Sequence, residues 1–304
     1  MKHYHKYWRI AKKLKQNQLQ KFSASDAHFS ENDLFTLNIG KRGYSLFLGF
    51  YSEAGIKLAL DKYGIYGMLQ NNGFDRVITH VDTTDTFKHR LCLYDGVKNN
   101  DKLIAEIELK RDFITINPPF EIRQPLQTIP GLVINWLRLQ NYKALFTENR
   151  PRLPGQRFPG LGLAKHVIEL LSIICWRLKI GCITINPEHY HNAVMYSKIF
   201  RFVNPETQSK FETLKTYLDQ YPLYKASWGV ALGCVHDCFR DETFTWFSEK
   251  QIVAFDKRLL ELFQGKEYKS FIKENKKKYS FIFNEEMFCK RYNQLTKNDM
   301  EKYI

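Results

Sequence analysis

Residues 150–185 read RPRLPGQRFPGLGLAKHVIELLSIICWRLKIGCITI: a loop of Pro, Arg and Gly, then an apolar-striped run, then a short β-rich run. Leu163, Val167, Leu170, Ile174 and Leu178 recur at helical spacing, which predicts an amphipathic helix starting at the Gly-containing loop. Gly181 is expected to end that helix, and Cys182–Ile185 to form a strand. Gly160 and Gly162 let the backbone come close to a ligand. The unpaired amides of the helix's first turn, at the positive end of its dipole, then face that ligand. Such a turn suits an anion, a pyrophosphate among them. Arg152, Arg157 and Lys165 can add charge-assisted contacts. A P-loop is excluded because no Gly-Lys-Ser/Thr follows, and the Gly spacing does not fit a dinucleotide-binding fold.

Upstream, residues 132–139 read as a strand too apolar to have a fully wet face. Leu103, Ala105, Ile107 and Leu109 alternate with Ile104, Glu106, Glu108 and Lys110, the period-two pattern of a half-buried strand. Residues 76–81 and 89–94 are two more strands, the second closed by the turn signal Asp95-Gly96. Residues 53–70 have helical spacing and stop at Asn71-Asn72-Gly73. Residues 3–22 read as a helix and residues 23–33 as a polar loop. Pro118-Pro119, Pro125 and Pro130 mark an irregular connection. Downstream, residues 187–200 read as mostly helical, residues 201–203 as the start of a strand, and the chain from Phe211 onward as helical and aromatic.

The run Arg157-Phe158-Pro159-Gly160-Leu161-Gly162 matches the pyrophosphate motif Q/R-x-x-G-x-G/A, and the chain here resembles the GNAT superfamily of N-acyltransferases. The order that follows is also similar: helix, strand at 182–185, connection Asn186-Pro187-Glu188-His189, and a helix carrying Tyr196. Tyr196-Ser197-Lys198-Ile199-Phe200-Arg201-Phe202 resembles the family's Tyr-x-x-x-x-Gly-Phe ending, with Arg201 where the family has Gly. The connection and ending together are similar to the N-acyl amino acid synthase and homoserine-lactone synthase branch.

The resemblance implies an α+β fold with a mixed, mostly antiparallel sheet flanked by helices. It implies acetyl-coenzyme A or a longer acyl-coenzyme A as co-substrate, with Arg157, Gly160, Leu161, Gly162, Leu163 and Lys165 on its pyrophosphate. Strands 132–139 and 182–185 would splay apart around it, and amides near residues 136–139, Leu137 among them, would polarise the thioester carbonyl. Tyr196 would protonate the leaving thiolate, and Glu188 or His189, with His191 nearby, would take a proton from the amine. Asn192 and Glu106 are further polar candidates. Tyr196 reads equally well as a buried aromatic with a polar handle, and Glu188 as a carboxylate that caps a helix start.

The expected organisation is a basic helical segment over residues 1–30, an acyltransferase core over 31–205, and a helical extension over 206–304 packed on the core. With 304 residues and 44% hydrophobic residues, the chain can bury a large core. The N-terminal run MKHYHKYWRIAKKLK is too polar for a signal peptide's apolar segment, and no run suits a membrane span, so a cytoplasmic protein is expected. Six scattered cysteines fit that compartment. Cys234-Val-His-Asp-Cys238 is the nearest approach to a metal pattern, and no second pair accompanies it, so no metal is expected. The net charge of +14 points to an acidic partner. Lys6, Arg9, Lys12, Lys13 and Lys15, interleaved with Tyr7, Trp8, Ile10 and Leu14, form a basic amphipathic helix able to meet nucleic acid or an anionic membrane. The principal expectation is an acyl-coenzyme A-dependent N-acyltransferase for a small amine or amino-acid acceptor. A catalytically inactive binding protein of the same fold and a nucleic-acid-binding protein are the alternatives.

Overall fold

The computed structural model describes residues 2–21, 46–120, 128–295 and 303; the polar loop expected over 23–33 and Pro125 lie outside them. The class is mixed α+β, with mostly antiparallel strands flanked by helices, as expected from the resemblance. The chain divides into two compact units. One holds Met1–Asp112, Leu132–Lys143 and Gly160–Lys179; the other holds Phe113–Gly131, Ala144–Pro159 and Ile180–Ile304. Among the described residues, no helix is long and apolar enough to cross a membrane.

In the first unit, strands β1 (Val77–Asp82), β2 (Lys88–Asp95), β3 (Leu103–Ile114) and β4 (Ile129–Leu139) stand in chain order. β1 and β2 pair antiparallel, as do β2 and β3. Between β3 and β4, Trp136 Nε1 donates to Glu106 Oε2 at 3.1 Å and the Gln140 amide donates to the Ile104 carbonyl at 2.9 Å. Partners rise along one strand and fall along the other, so this pair is antiparallel too. Leu103, Ala105, Ile107 and Leu109 are all buried, so the expected inward face is the observed one.

Two helices predicted as single pieces are each broken. Residues 3–22 form α1 (Lys2–Lys13) and α2 (Gln16–Leu19). The Arg177 guanidinium accounts for the break: it donates to the carbonyls of Ala11 and of Leu14, the latter at 3.0 Å, and so satisfies the end of α1. Residues 53–70 form α3 (Glu53–Lys62) and α4 (Ile65–Gln70), parted by Gly64 at φ 78°. Tyr7, Ala11 and Leu14 on α1 are buried, and α1 packs on α5 (Ala164–Leu178), where the Tyr7 hydroxyl meets His166 Nδ1 at 2.8 Å. The apolar face of α1 is thus used inside this unit, while Lys6, Arg9, Lys12, Lys13 and Lys15 are exposed. Lys179 at φ 55°, not Gly181, supplies the left-handed residue that ends α5.

In the second unit, β5 (Cys182–Ile185) pairs antiparallel with β9 (Gln251–Ala254), and β9 with β6 (Arg201–Phe202). The first residues of β4 belong here: the Pro130 carbonyl accepts from the Gly181 amide at 2.8 Å. A side chain on Gly131 would meet Ile114 at 2.6 Å, and one on Gly181 would meet Ile129 at 2.6 Å, so both positions require glycine for this approach. Helices α6 (Tyr190–Tyr196), α7 (Pro205–Leu218) and α8 (Leu223–Ala231) pack around Phe202, Phe211 and Trp228, all nearly fully buried. The extension carries α9 (Lys257–Gln264), α10 (Lys266–Lys276) and α11 (Glu285–Asn293), but it is not helical throughout. β9 lies within it, and so does a three-stranded sheet of β10 (Phe281–Phe283), β7 (Val235–Asp237) and β8 (Glu242–Thr243). Runs of two to four residues are too short for hydrophobic periodicity to separate strand from helix.

The contact between α2 and α3 is backbone against backbone. A Cβ on Gly55 would lie 2.0 Å from the Leu19 carbonyl oxygen, which also accepts from the Ser52 amide at 3.0 Å. Helix propensity alone would make Gly55→Ala stabilising by about 1 kcal/mol. The clash reverses the sign, and the variant should lose about 1–3 kcal/mol, the usual scale for overpacking. Urea unfolding of the two proteins checks this; an increase in stability would contradict the close approach.

Candidate functional site

In the first unit, the residues singled out around the Gly-containing loop meet at the end of β4. The Leu161 amide donates to the Leu139 carbonyl at 3.3 Å, and Gly160 forms an antiparallel bridge with Gln140. Leu161 and Leu163 turn inward and are buried. Gly162 between them is exposed at φ 74°, a conformation that disfavours any side chain. α5 starts directly afterwards, with Leu163 as N-cap and no side chain capping it. The amides of Ala164 and Lys165 have no acceptor among the described residues, and the Lys165 side chain is exposed beside them. This turn offers backbone donors, a helix dipole and one cation to an anion. Leu137, two residues before Leu139 on the same face of β4, turns its side chain into an apolar cavity with Leu163.

In the second unit, Arg157 is exposed, with its guanidinium over the Phe158 ring at 5.4 Å. Arg152 Nε donates to the Gln156 carbonyl at 2.6 Å, within the loop itself. Trp228 Nε1 donates to the Arg152 carbonyl at 2.8 Å and fixes that loop further.

The connection after β5 differs from the expected helix over 187–200. α6 starts only at Tyr190, its N-cap is His189, and Asn192 Oδ1 accepts from the His189 amide at 3.2 Å. Glu188 therefore does not cap the helix; it is exposed one residue outside it. The Pro187 carbonyl is held by Trp246 Nε1 at 3.1 Å, which keeps this residue out of the helix. His189 is half-buried and stacks on His191, ring centroids 5.5 Å apart. Burial lowers the His189 pKa, and the Glu188 charge acts against the shift. His189 is therefore neutral near pH 7 and able to accept a proton. Gly155 lies against it: a Cβ there would be 2.4 Å from His189 Nε2.

Tyr196 ends α6, and its ring lies 5.8 Å from that of Phe200. Burial raises its pKa, so the phenol is protonated at neutral pH. Its hydroxyl has no hydrogen-bond partner among the described residues. The sequence reading passed over two more polar groups, Thr184 on β5 and Gln251 on β9. Both are fully buried, and the Thr184 hydroxyl and both Gln251 amide atoms lack partners among the described residues. A single Thr in the apolar run Cys-Ile-Thr-Ile was the available signal, but Thr is common in strands. Glu106, in the first unit, is engaged by Trp136 and Arg90. No group of three or more His, Cys, Asp or Glu among the described residues is placed to hold a metal ion.

Buried His191 gives the second unit a pH-dependent stability. Desolvation, helped by the adjacent His189, depresses its pKa from 6.5 to about 3. Below pH 6.5 the unfolded chain takes up a proton that the folded chain refuses until about pH 3. Stability should therefore fall as pH drops through that window, by up to about 1.4 kcal/mol per pH unit. His191→Phe keeps a ring and removes the titration, so its stability should decline less between pH 6 and pH 4. Urea titrations at those two pH values measure the difference; parallel declines would show that His191 is not the cause.

No family model matches the chain, and no curated protein matches it either.

Proposed function

We propose that the chain is an acyl-coenzyme A-dependent N-acyltransferase that passes an acyl group directly from the thioester to a small amine or amino acid. The observation that carries this reading is the turn at residues 160–165. Exposed Gly162 precedes a helix whose first amides, those of Ala164 and Lys165, have no acceptor among the described residues. A pyrophosphate is the ligand such a turn fits. The antiparallel order β1 to β4 in one unit, and β9 between β5 and β6 in the other, support the same reading. The free thiols of the described cysteines suit a cytoplasmic enzyme.

The chemistry asked of the chain's residues is modest. The amine nitrogen attacks the thioester carbonyl carbon and gives a proton to a base. The carbon–sulfur bond breaks, and the thiolate takes a proton from an acid. Tyr196, protonated and without a partner for its hydroxyl, serves as the acid. Neutral His189 serves as the base, with Glu188 stabilising the imidazolium that forms. The close seat of Gly155 on His189 favours a second reading, in which the protein binds acyl-coenzyme A without turning it over.

Calorimetry with coenzyme A, followed by a free-thiol release assay with acetyl- and longer acyl-coenzyme A across a panel of amines, tests both readings. Binding with turnover supports the first, binding without turnover the second, and no binding ends both. Tyr196→Phe should leave melting temperature and coenzyme A affinity nearly unchanged, because the hydroxyl bonds none of the described residues. Its turnover should fall by about 10²–10⁴, the usual scale of general acid catalysis; full turnover would remove Tyr196 from the mechanism. Gly162→Val should cost about 1–2 kcal/mol of stability through its left-handed backbone. Coenzyme A affinity should fall more than about tenfold, since charge-assisted backbone contacts are displaced. Unchanged affinity in calorimetry would place the anion elsewhere.

A further inference from the structure

We propose that the first unit holds a buried pocket for the hydrocarbon chain of the acyl donor, about six carbons deep. The inference rests on the acyl-coenzyme A reading above and names the class of donor: a medium-chain or longer thioester rather than acetyl.

The pocket is a cavity of about 140 Å³ among α3, α4, β2, β3, β4 and α5. Packed interiors hold few voids larger than one water, so a void of this size is not ordinary core. Its lining is almost wholly apolar, aliphatic side chains joined by the rings of Phe47, Tyr51 and Tyr63. The two charged side chains that reach it are already engaged: Arg177 by the Ala11 and Leu14 carbonyls, and Glu106 by Trp136 and Arg90. The Tyr63 hydroxyl is held by Arg177, and the surface the lining turns to the cavity is almost entirely apolar, so water is not favoured there. A cavity of about 150 Å³ accommodates a benzene-sized group, which sets the depth at about six carbons.

The position of the lining selects the donor's chain. Leu137 and Leu139 lie on one face of β4, and both reach the cavity. On the proposed function, the thioester carbonyl lies against the amides of this stretch. Leu163 and Val167 reach the same cavity from the start of α5, next to the anion turn. A chain attached to that carbonyl therefore has an apolar wall on the strand that polarises the thioester and on the helix that holds the pyrophosphate.

Calorimetry with coenzyme A and with acetyl-, butyryl-, hexanoyl-, octanoyl- and dodecanoyl-coenzyme A tests the pocket. Affinity should rise by up to about fourfold per added methylene, then level off after about six carbons. Coenzyme A that binds with no dependence on chain length overturns this inference and leaves the acyltransferase reading standing. Failure of every compound to bind overturns that reading, and this inference with it. Ala59 on α3 and Ala105 on β3 line the cavity, and Ala59→Phe or Ala105→Leu would fill it. Each variant that retains its melting temperature should bind acetyl-coenzyme A as before and lose the octanoyl advantage. Persistence of that advantage in a filled, stable variant overturns the pocket. Should both variants fold poorly, the chain-length series on the unaltered protein decides alone.

Discussion

The hydrogen bond from the Leu161 amide to the Leu139 carbonyl ties the start of α5 to the end of β4, and the turn before α5 depends on that tie. It stops the chain from continuing outward after the loop. It turns Leu161 and Leu163 into the interior, and it leaves exposed Gly162 to make a left-handed turn between them. With Leu163 spent on packing, no side chain is available to cap the helix, so its first amides stay open. One backbone constraint thus produces an exposed left-handed turn before α5 on the outside and an apolar lining on the inside.

The second unit is organised around groups held neutral. His191 is kept uncharged by burial, and His189 and Tyr196 are biased the same way. Holding these groups neutral avoids the desolvation cost that buried charges would incur. A charge is tolerated in this unit where it is paired: fully buried Asp237 meets Lys210 at 2.8 Å, and Lys210 lies over the rings of Phe244 and Tyr279. Among the described residues, the Thr184 hydroxyl and the Gln251 amide on the β5–β9 pair are buried without partners.

The basic N-terminal helix shows how one pattern serves two different ends. Its alternation of cations and aromatics describes a helix with one apolar and one charged face, and both faces are present. The apolar face is covered within the first unit by α5, where Trp8 meets Trp176 edge-on with ring centroids 5.3 Å apart. Among the described side chains of this helix, the exposed face carries Lys6, Arg9, Lys12 and Lys13, which favours an anionic partner.

The amino-acid sequence by itself determined the features that are local. Alternation placed Leu103, Ala105, Ile107 and Leu109 inward, because side-chain direction in a strand follows from residue number. The 3.6-residue stripe placed α5, and Gly162 marked a turn that only glycine makes at low cost. Tertiary structure decided whatever depends on residues distant in the chain. Arg177 ended α1 from more than 160 positions away. β9 reached back to lie between β5 and β6. Pairing partners for four-residue strands cannot be read from four residues, and a cavity belongs to no single segment. Periodicity reports which way a side chain points; what it meets there is set by the packing of the rest of the chain.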